Sequence, residues 1–235
     1  MKYELQTIPV WKAYEEDTEC PLCFLHKEAE QRNTKFFLGN SIMVPEMRVQ
    51  LNEHGFCHRH FHMLAAGTGK LGYSLALNTH METIVATTEK LGGAIAAARG
   101  NASRPVAAYV DYLERLADDC LMCDRIQYNM RNYTYTVAKL YATEPQFTDA
   151  LRSSKGFCLS HLPAVLRMGL EVLPAKLLPE WHRDILDVQK RGIAANREAL
   201  EEFSWQFDYQ TDKKTPERSL DAVPRGVQRL AGFGP

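Results

Sequence analysis

Cysteine and histidine recur in this chain at spacings typical of metal ligands. Two stretches each carry a C-x-x-C pair and, further along, a G-F-C-x-x-H element. The pairs begin 100 residues apart (120 − 20) and the later cysteines lie 101 apart (158 − 57), and all six cysteines fall inside these stretches. Three thiolates and one imidazole are a common donor set for tetrahedral zinc. The candidate ligands are Cys20, Cys23, Cys57, His60, Cys120, Cys123, Cys158 and His161.

The second stretch selects the histidine in the first. His58, His60 and His62 all crowd Cys57, so the first stretch alone leaves the ligand open. The second stretch has a single histidine, three residues after its cysteine, and His60 is the residue in the matching place. By the same comparison His26 aligns with an isoleucine and is set aside.

Three other chemistries compete with zinc for these thiols. An iron–sulfur cluster can take three thiolates and a histidine. Six cysteines could also form three disulfides, or a redox-active dithiol, although the βαβ context of a thioredoxin-type pair is missing. Four donors per stretch leave no open position for water, and neither H-E-x-x-H nor the deaminase signature occurs. We therefore expect two zinc ions, each in a closed structural site, and no catalytic residue or other cofactor site.

The surrounding sequence predicts helices and hardly any strand. Cys20 precedes a proline, as at a helix start, and that helix is predicted to end near Phe37. Gly55 and Gly156 each follow a short helix and are expected to adopt a backbone conformation that other residues disfavour. Gly67 and Gly169 are predicted to close the segments after each C-x-x-H element. The further predicted helices cover 45–54, 74–98, 106–116, 123–141, 145–155, 179–204 and, interrupted by Pro224, about 220–230.

The register between the stretches predicts an internal duplication. We expect an all-α protein with two similar helical halves, each stapled by a Cys₃His site. The first repeat would cover 1–102, the second 103–207, and a C-terminal loop with a short docking helix 208–235. The loop between the C-x-x-C pair and the C-x-x-H element of one repeat is shorter than a loop that joins elements of different repeats. Because a shorter loop costs less entropy to close, each repeat is expected to supply one complete site.

Charge and composition exclude some functions. The formal net charge of −1 gives no basis for a nucleic-acid partner. Residues 1–16 lack the apolar region of a secretory signal, and the most apolar run, 92–98, is too short to span a bilayer. We therefore expect a cytoplasmic protein with no membrane partner.

The two C-x-x-C and G-F-C-x-x-H elements, together with Phe207-Asp208-Tyr209 and the segment 225–230, resemble an uncharacterised bacterial family of helical proteins. Its members are sometimes labelled as transporter substrate-binding proteins. The resemblance would cover nearly the whole chain. It implies the same eight metal ligands and no known activity.

The expected function is that of a binding or scaffold module with structural zinc, whose partner is an unidentified protein or small molecule. One alternative is a thiol-based redox or metal sensor that releases zinc on oxidation. Another is an enzyme with its site in a groove between the halves. The sequence leaves the oligomeric state open.

Overall fold

The protein is all-helical in a computed structural model, which describes residues 4–208 and 214–233. Within these ranges no strand forms, as expected. Short 3-10 turns occupy Asn40–Met43, Trp205–Phe207 and Glu217–Ser219. The α-helices of the described part are α1 (Glu4–Glu15), α2 (Pro21–Leu38), α3 (Pro45–His54), α4 (His58–Ala66), α5 (Lys70–Ala96), α6 (Ser103–Asp118), α7 (Leu121–Thr143), α8 (Pro145–Ser153), α9 (Leu162–Val172), α10 (Leu178–Ser204) and α11 (Ala222–Ala231).

Proline marks several of the helix starts. α2, α3 and α8 each begin with proline, at Pro21, Pro45 and Pro145. At the first helical position the missing N–H of proline costs nothing, and its fixed φ suits the helix. The predicted starts are therefore correct at these three places, and α2 ends one residue beyond the predicted Phe37.

The chain divides into two compact units at boundaries that differ from the predicted repeats. Residues 1–28 and 129–235 form one, called here the terminal unit, and residues 29–128 form the other, the central unit. The chain passes between them inside α2 and inside α7. The expected boundary at 102/103 lies inside the central unit.

Each unit has its own buried core. In the terminal unit α10 packs against α8, α9 and α11, and in the central unit α3 and α6 pack against α5. Burying a large apolar side chain contributes about 1.5–3 kcal/mol. The largest fully buried side chains include Trp181, Tyr133, Phe147 and Phe157 in the terminal unit, and Phe37, Phe56, Ile42, Leu51, Leu64 and Met122 in the central unit.

Two local predictions are wrong. Gly169 does not close a segment but lies inside α9, where an added Cβ would come within 2.2 Å of Trp181 Nε1. The glycine is there because the indole packs directly on the helix backbone. Pro224 does not interrupt the last helix either, because it falls in the first turn of α11, where a proline is tolerated. Of the predicted C-terminal loop and of Phe207-Asp208-Tyr209, residues 209–213 lie outside the described part.

Candidate metal centres

Each C-x-x-C pair sits at the start of a long helix. Cys20 immediately precedes α2 and Cys23 lies in its first turn, and Cys120 and Cys123 have the same places at α7. The N–H of Cys123 points at the Cys120 sulfur, 3.4 Å away. The first N–H groups of a helix have no partner within it and carry partial positive charge, so these helix starts favour thiolates.

Each C-x-x-H element follows a glycine with a positive φ. Gly55 has φ 64° and Gly156 has φ 97°. With ψ at −151°, Gly55 lies in a region that is essentially restricted to glycine. After it, Cys57 caps α4 and His60 lies in the first turn of that helix. After Gly156 the chain makes a turn instead, and His161 precedes α9.

The structure brings the eight predicted ligands together, but not in the predicted grouping. Cys20, Cys23, Cys158 and His161 form one set, called here the Cys20 cluster. Cys57, His60, Cys120 and Cys123 form the other, the Cys57 cluster. Within each set the donor atoms lie within 4.8 Å of one another. The expectation that each repeat supplies its own complete site is therefore wrong, because each C-x-x-C pair meets the C-x-x-H element of the other stretch.

The Cys20 cluster lies within the terminal unit. The Nδ1 atom of His161 is 3.7 Å from the Cys20 sulfur and 3.6 Å from the Cys23 sulfur. The same nitrogen is 3.2 Å from the Cys158 sulfur, and the sulfurs of Cys23 and Cys158 are 3.6 Å apart. All three cysteines are buried and His161 is half-buried.

The Cys57 cluster lies within the central unit. The Nδ1 atom of His60 is 3.3 Å from the Cys57 sulfur, 3.3 Å from that of Cys120 and 3.4 Å from that of Cys123. The sulfurs of Cys57 and Cys123 are 3.9 Å apart. Here Cys57 and Cys123 are only half-buried, whereas His60 and Cys120 are buried.

These separations fit one tetrahedral ion per cluster. Zn–S bonds of about 2.3 Å and Zn–N bonds of about 2.0–2.1 Å place tetrahedral ligands about 3.8 Å apart for two sulfurs and about 3.6 Å apart for sulfur and nitrogen. The eight separations given above run from 3.2 to 3.9 Å, and all donor atoms of a cluster lie within 4.8 Å of one another. All six cysteines are free, and sulfurs 3.6 and 3.9 Å apart are far beyond the ~2.05 Å of a disulfide.

The donors of each cluster are close enough to shift one another's pKa values. Burial lowers the pKa of His60, but hydrogen bonds with Cys120 and Glu30 outweigh it and raise that pKa to about 10. Burial also lowers the pKa of His161, yet hydrogen bonds with Cys158 and Cys23 raise it to about 9. Burial raises the pKa of the Cys120 thiol, but hydrogen bonds from His60 and from backbone N–H groups lower it to about 6.

A carboxylate supports the histidine of the Cys57 cluster from behind. Glu30 Oε1 lies 3.3 Å from His60 Nε2, on the side of the ring away from the sulfurs. The Glu30 side chain is 6% exposed, and the same oxygen is 2.7 Å from Arg59 Nη2. A carboxylate on the second nitrogen of a ligating histidine fixes its tautomer and strengthens it as a ligand.

The C-terminal helix covers the Cys20 cluster. The N–H of Leu159 donates to the Arg229 carbonyl at 3.0 Å, and the Ser160 hydroxyl donates to the Ala231 carbonyl at 3.0 Å. Gly232, with φ 86°, follows α11 so closely that an added Cβ would lie 3.3 Å from the Cys158 sulfur. The turn between Cys158 and His161 is thus held by the end of α11.

A buried ion pair lies next to this cover. Glu19, the residue before Cys20, pairs with Arg229 of α11, and both side chains are 3% exposed. Asn196 of α10 donates to Glu19 at 3.0 Å and accepts from Arg229 Nε at 3.2 Å. Arg229 also reaches the carbonyl of Phe157, one residue before Cys158, at 3.4 Å. Four segments, namely α10, α11 and the residues that precede Cys20 and Cys158, are therefore tied together by one charged network.

These supporting residues are not among those predicted from the sequence. An acidic residue precedes each C-x-x-C pair in register, at Glu19 and Asp119, and this was the available signal. Asp119 Oδ2 is 2.9 Å from His54 Nδ1 in the central unit. Glu30 has no such signal, because the residue in register with it is Met130.

The remaining histidines near the clusters stay outside the donor sets. His58 and His62 are exposed on α4, with ring centroids 4.6 Å apart. The ring of His26 lies 6.0 Å from that of His161. Neither donor set includes these three histidines, and of the histidines near Cys57 only His60 belongs to one.

The fold and the donors define an all-α protein with two Cys₃His clusters that could each hold a metal ion. The chain belongs to the family described as Family of unknown function (DUF6062), whose family model matches residues 1–235. No curated protein and no solved structure matches the chain. Among the described helices, none combines the length and the apolar character needed to cross a membrane.

Proposed function

We propose that each cluster binds one zinc ion and that both ions are structural. The observation that carries this proposal is the geometry of the donor sets, in which three sulfurs and one nitrogen stand at the separations of tetrahedral ligands. An iron–sulfur cluster spreads its protein ligands around more than one iron, whereas these donors are close enough to share a single ion.

Four protein donors saturate a tetrahedral zinc ion, so no position is left for water or substrate. The ions would then act on folding rather than on a reaction. Structural zinc contributes about 10–16 kcal/mol in small zinc-dependent domains, and each ion here would tie a helix start to a distant C-x-x-H element. We propose a zinc-stabilised helical module of the binding or scaffold type.

Metal analysis of the purified protein tests this proposal. We expect two zinc ions per chain by elemental analysis, and a thiolate-to-cobalt charge-transfer spectrum after exchange with Co²⁺. His60→Ala should remove one ion, whereas the matched control His62→Ala, on the same helix, should retain both. Protein that folds with no bound metal, or that loses an ion with His62→Ala, would contradict the assignment.

A second function, a thiol-based sensor, is favoured by one observation at the Cys57 cluster. Cys57 and Cys123 are half-buried, while the three sulfurs of the Cys20 cluster are buried. Peroxide could reach the exposed pair, take two electrons from the two thiolates and leave as two waters after gaining two protons. The product would be a Cys57–Cys123 disulfide, with its zinc ion released.

Mild peroxide treatment distinguishes the two functions. A sensor would release about one zinc ion per chain together with the loss of two thiols, and a reductant with added zinc would reverse both changes. A purely structural protein would keep both ions at the same peroxide concentration. Mass spectrometry of the oxidised protein should place the new disulfide between Cys57 and Cys123, and a disulfide between other cysteines would contradict this reaction.

A further inference from the structure

Helix α4 carries histidines on two opposite sides. His60 is buried and belongs to the Cys57 cluster, whereas His58 and His62 are exposed. Two residues along an α-helix turn the side chain by about 200°, so His58 and His62 point away from the side that His60 uses. Their spacing of four residues brings them back to one side of the helix. α4 therefore presents a pair of imidazoles to solvent, outside both donor sets.

The two exposed rings are as far apart as rings that share a metal ion. Their centroids are 4.6 Å apart and their planes are tilted by 57°, so the rings do not lie flat on one another. An ion bonded about 2.0–2.1 Å from a ring nitrogen lies about 3.2 Å from the ring centre. Two such rings at a bond angle of about 90–109° have centres about 4.5–5.2 Å apart. The observed separation of His58 and His62 falls within this range.

Within the part of the chain that the structure describes, neither of these histidines has a hydrogen-bond or ion-pair partner. Other histidines outside the clusters are used by the fold. The Nδ1 atoms of His80 and His182 lie 3.1 and 2.8 Å from backbone carbonyl oxygens, and that of His54 lies 2.9 Å from a carboxylate oxygen. The ring nitrogens of His58 and His62 are thus available to a ligand from solution.

The charge around the pair is compatible with a bound cation. Arg59 follows His58 directly, but its Nη2 atom is 2.7 Å from Glu30 Oε1, and the carboxylate offsets the charge of the guanidinium. Cys57, which is bonded to His58, is half-buried. Three thiolates around a divalent ion leave a net negative charge, so a filled Cys57 cluster would attract a second cation to this side of the protein.

Imidazole donors select the class of ion. Zn²⁺, Co²⁺, Ni²⁺ and Cu²⁺ bind imidazole well, whereas Mg²⁺ and Ca²⁺ prefer oxygen ligands. Two histidines four residues apart on a helix also hold zinc in the H-E-x-x-H motif. Only two protein donors are present in the exposed pair, so the other positions around the ion are left to water. Such an ion exchanges with solution more readily than an ion with four protein donors.

We propose that His58 and His62 form a third metal site, open and exchangeable, which binds one imidazole-preferring divalent cation such as Zn²⁺. The site differs from both clusters because it has no thiolate and lies at the surface. An ion held by two donors is lost on desalting. The purified chain therefore keeps only the ions of the clusters, and the third site fills when free metal is supplied.

Co²⁺ added to the zinc-loaded full chain tests this site. We expect one additional Co²⁺ per chain by equilibrium dialysis and elemental analysis, with the zinc content unchanged. Cobalt that is held by nitrogen and water has no sulfur ligand. The intense thiolate-to-cobalt charge-transfer band should therefore be absent from the absorption spectrum.

Substitutions in α4 assign the two donors. His58→Ala and His62→Ala should each weaken cobalt binding about 100-fold or more, because the second imidazole binds an ion that the first already holds nearby. His182→Ala, in α10, is the matched control and should bind Co²⁺ as the wild type does. Ala66 is exposed at the last position of α4, four residues after His62. Ala66→His in the His58→Ala background should therefore restore binding.

Three results would overturn the proposal. One is a zinc-loaded wild-type chain that takes up no Co²⁺ when the free ion reaches about 1 mM, the weak end of specific affinities. A second is cobalt uptake that persists in both His58→Ala and His62→Ala, or that the relocated histidine does not restore. The third is uptake only with the charge-transfer band and released zinc, which would place the cobalt in the clusters.

Discussion

The two clusters hold the same donors but are enclosed by different means. The Cys20 cluster is covered by protein: its three sulfurs are buried, α11 closes over the turn after Cys158, and the Glu19–Arg229 pair braces the surrounding segments. The Cys57 cluster leaves Cys57 and Cys123 half-exposed, and its support is the Glu30 carboxylate behind His60. A metal site can thus be held by covering its ligands or by strengthening one of them. The first should slow exchange, and the second should raise affinity while leaving the ion reachable.

The largest expected effect concerns which cysteines share an ion. Cys20→Ser with Cys158→Ser removes two donors of one cluster, so the double variant should keep one zinc ion per chain. Cys120→Ser with Cys158→Ser damages both clusters and should keep none. Elemental analysis after chelator competition measures this. Pairing within each sequence stretch would give the opposite pattern for the second variant, which would then retain one ion.

The second largest effect should come from disrupting the buried network of Glu19 and Arg229 beside the Cys20 cluster. Arg229→Met leaves Glu19 buried without its main partner, and breaking a buried pair in this way costs about 3–5 kcal/mol. Arg225 Nη1 at 3.5 Å and Lys155 Nζ at 3.8 Å from the other carboxylate oxygen will compensate in part. We therefore expect a loss of about 3 kcal/mol in urea unfolding.

The double variant Arg229→Met with Glu19→Gln serves as the control for this prediction. Removing the charge of Glu19 as well should restore a large part of the lost free energy of unfolding. No recovery would show that the arginine acts through its contacts with Phe157 and Asn196 instead.

Glu30→Gln should lower the metal affinity of the Cys57 cluster and leave that of the Cys20 cluster unchanged. Loss of a carboxylate behind a ligating histidine lowers metal affinity by about 10–100-fold. Competition with a chromophoric chelator should resolve one weakened and one unchanged zinc ion. Glu28→Gln, two residues earlier in α2, is the matched control. Equal weakening of both ions would argue against this role for Glu30.

The smallest effect should come from the glycine that caps the Cys20 cluster. Gly232→Ala places a methyl group 3.3 Å from the Cys158 sulfur and strains a backbone with φ 86°. Gly100→Ala has similar strain, with φ 95°, but open space around its Cβ. Both variants should lose about 1 kcal/mol of stability. Zinc should be released faster from Gly232→Ala but not from Gly100→Ala. Equal release rates in the two variants would show that the contact with the Cys158 sulfur does not control zinc release.

The internal comparison of the sequence with itself was enough to find the eight donors, and helix periodicity with proline and glycine placement found most of the helices. The comparison could not show which C-x-x-C pair shares a cluster with which C-x-x-H element, for a physical reason. The path from Cys23 to Cys57 spans 34 residues (57 − 23) and that to Cys158 spans 135 (158 − 23). Loop closure favours the shorter path by only about 1.2 kcal/mol, and packing of the helices outweighs that.

The residues that enclose the clusters were harder to foresee. Glu19 and Arg229 are 210 positions apart, and no local pattern links them. Glu30 breaks the match between the stretches, so the comparison that identified His60 argues against its carboxylate partner.

The crossed grouping of the ligands gives the two sites a fixed order of completion during translation. The Cys57 cluster has all its donors once residue 123 has been made, whereas the first pair must wait for His161. For the 138 residues between Cys23 and His161 (161 − 23) the earliest two thiols belong to an unfinished site. Over that interval they stand open to oxidants and to any soft cation, so the nascent chain is most vulnerable at the site that ends up best protected.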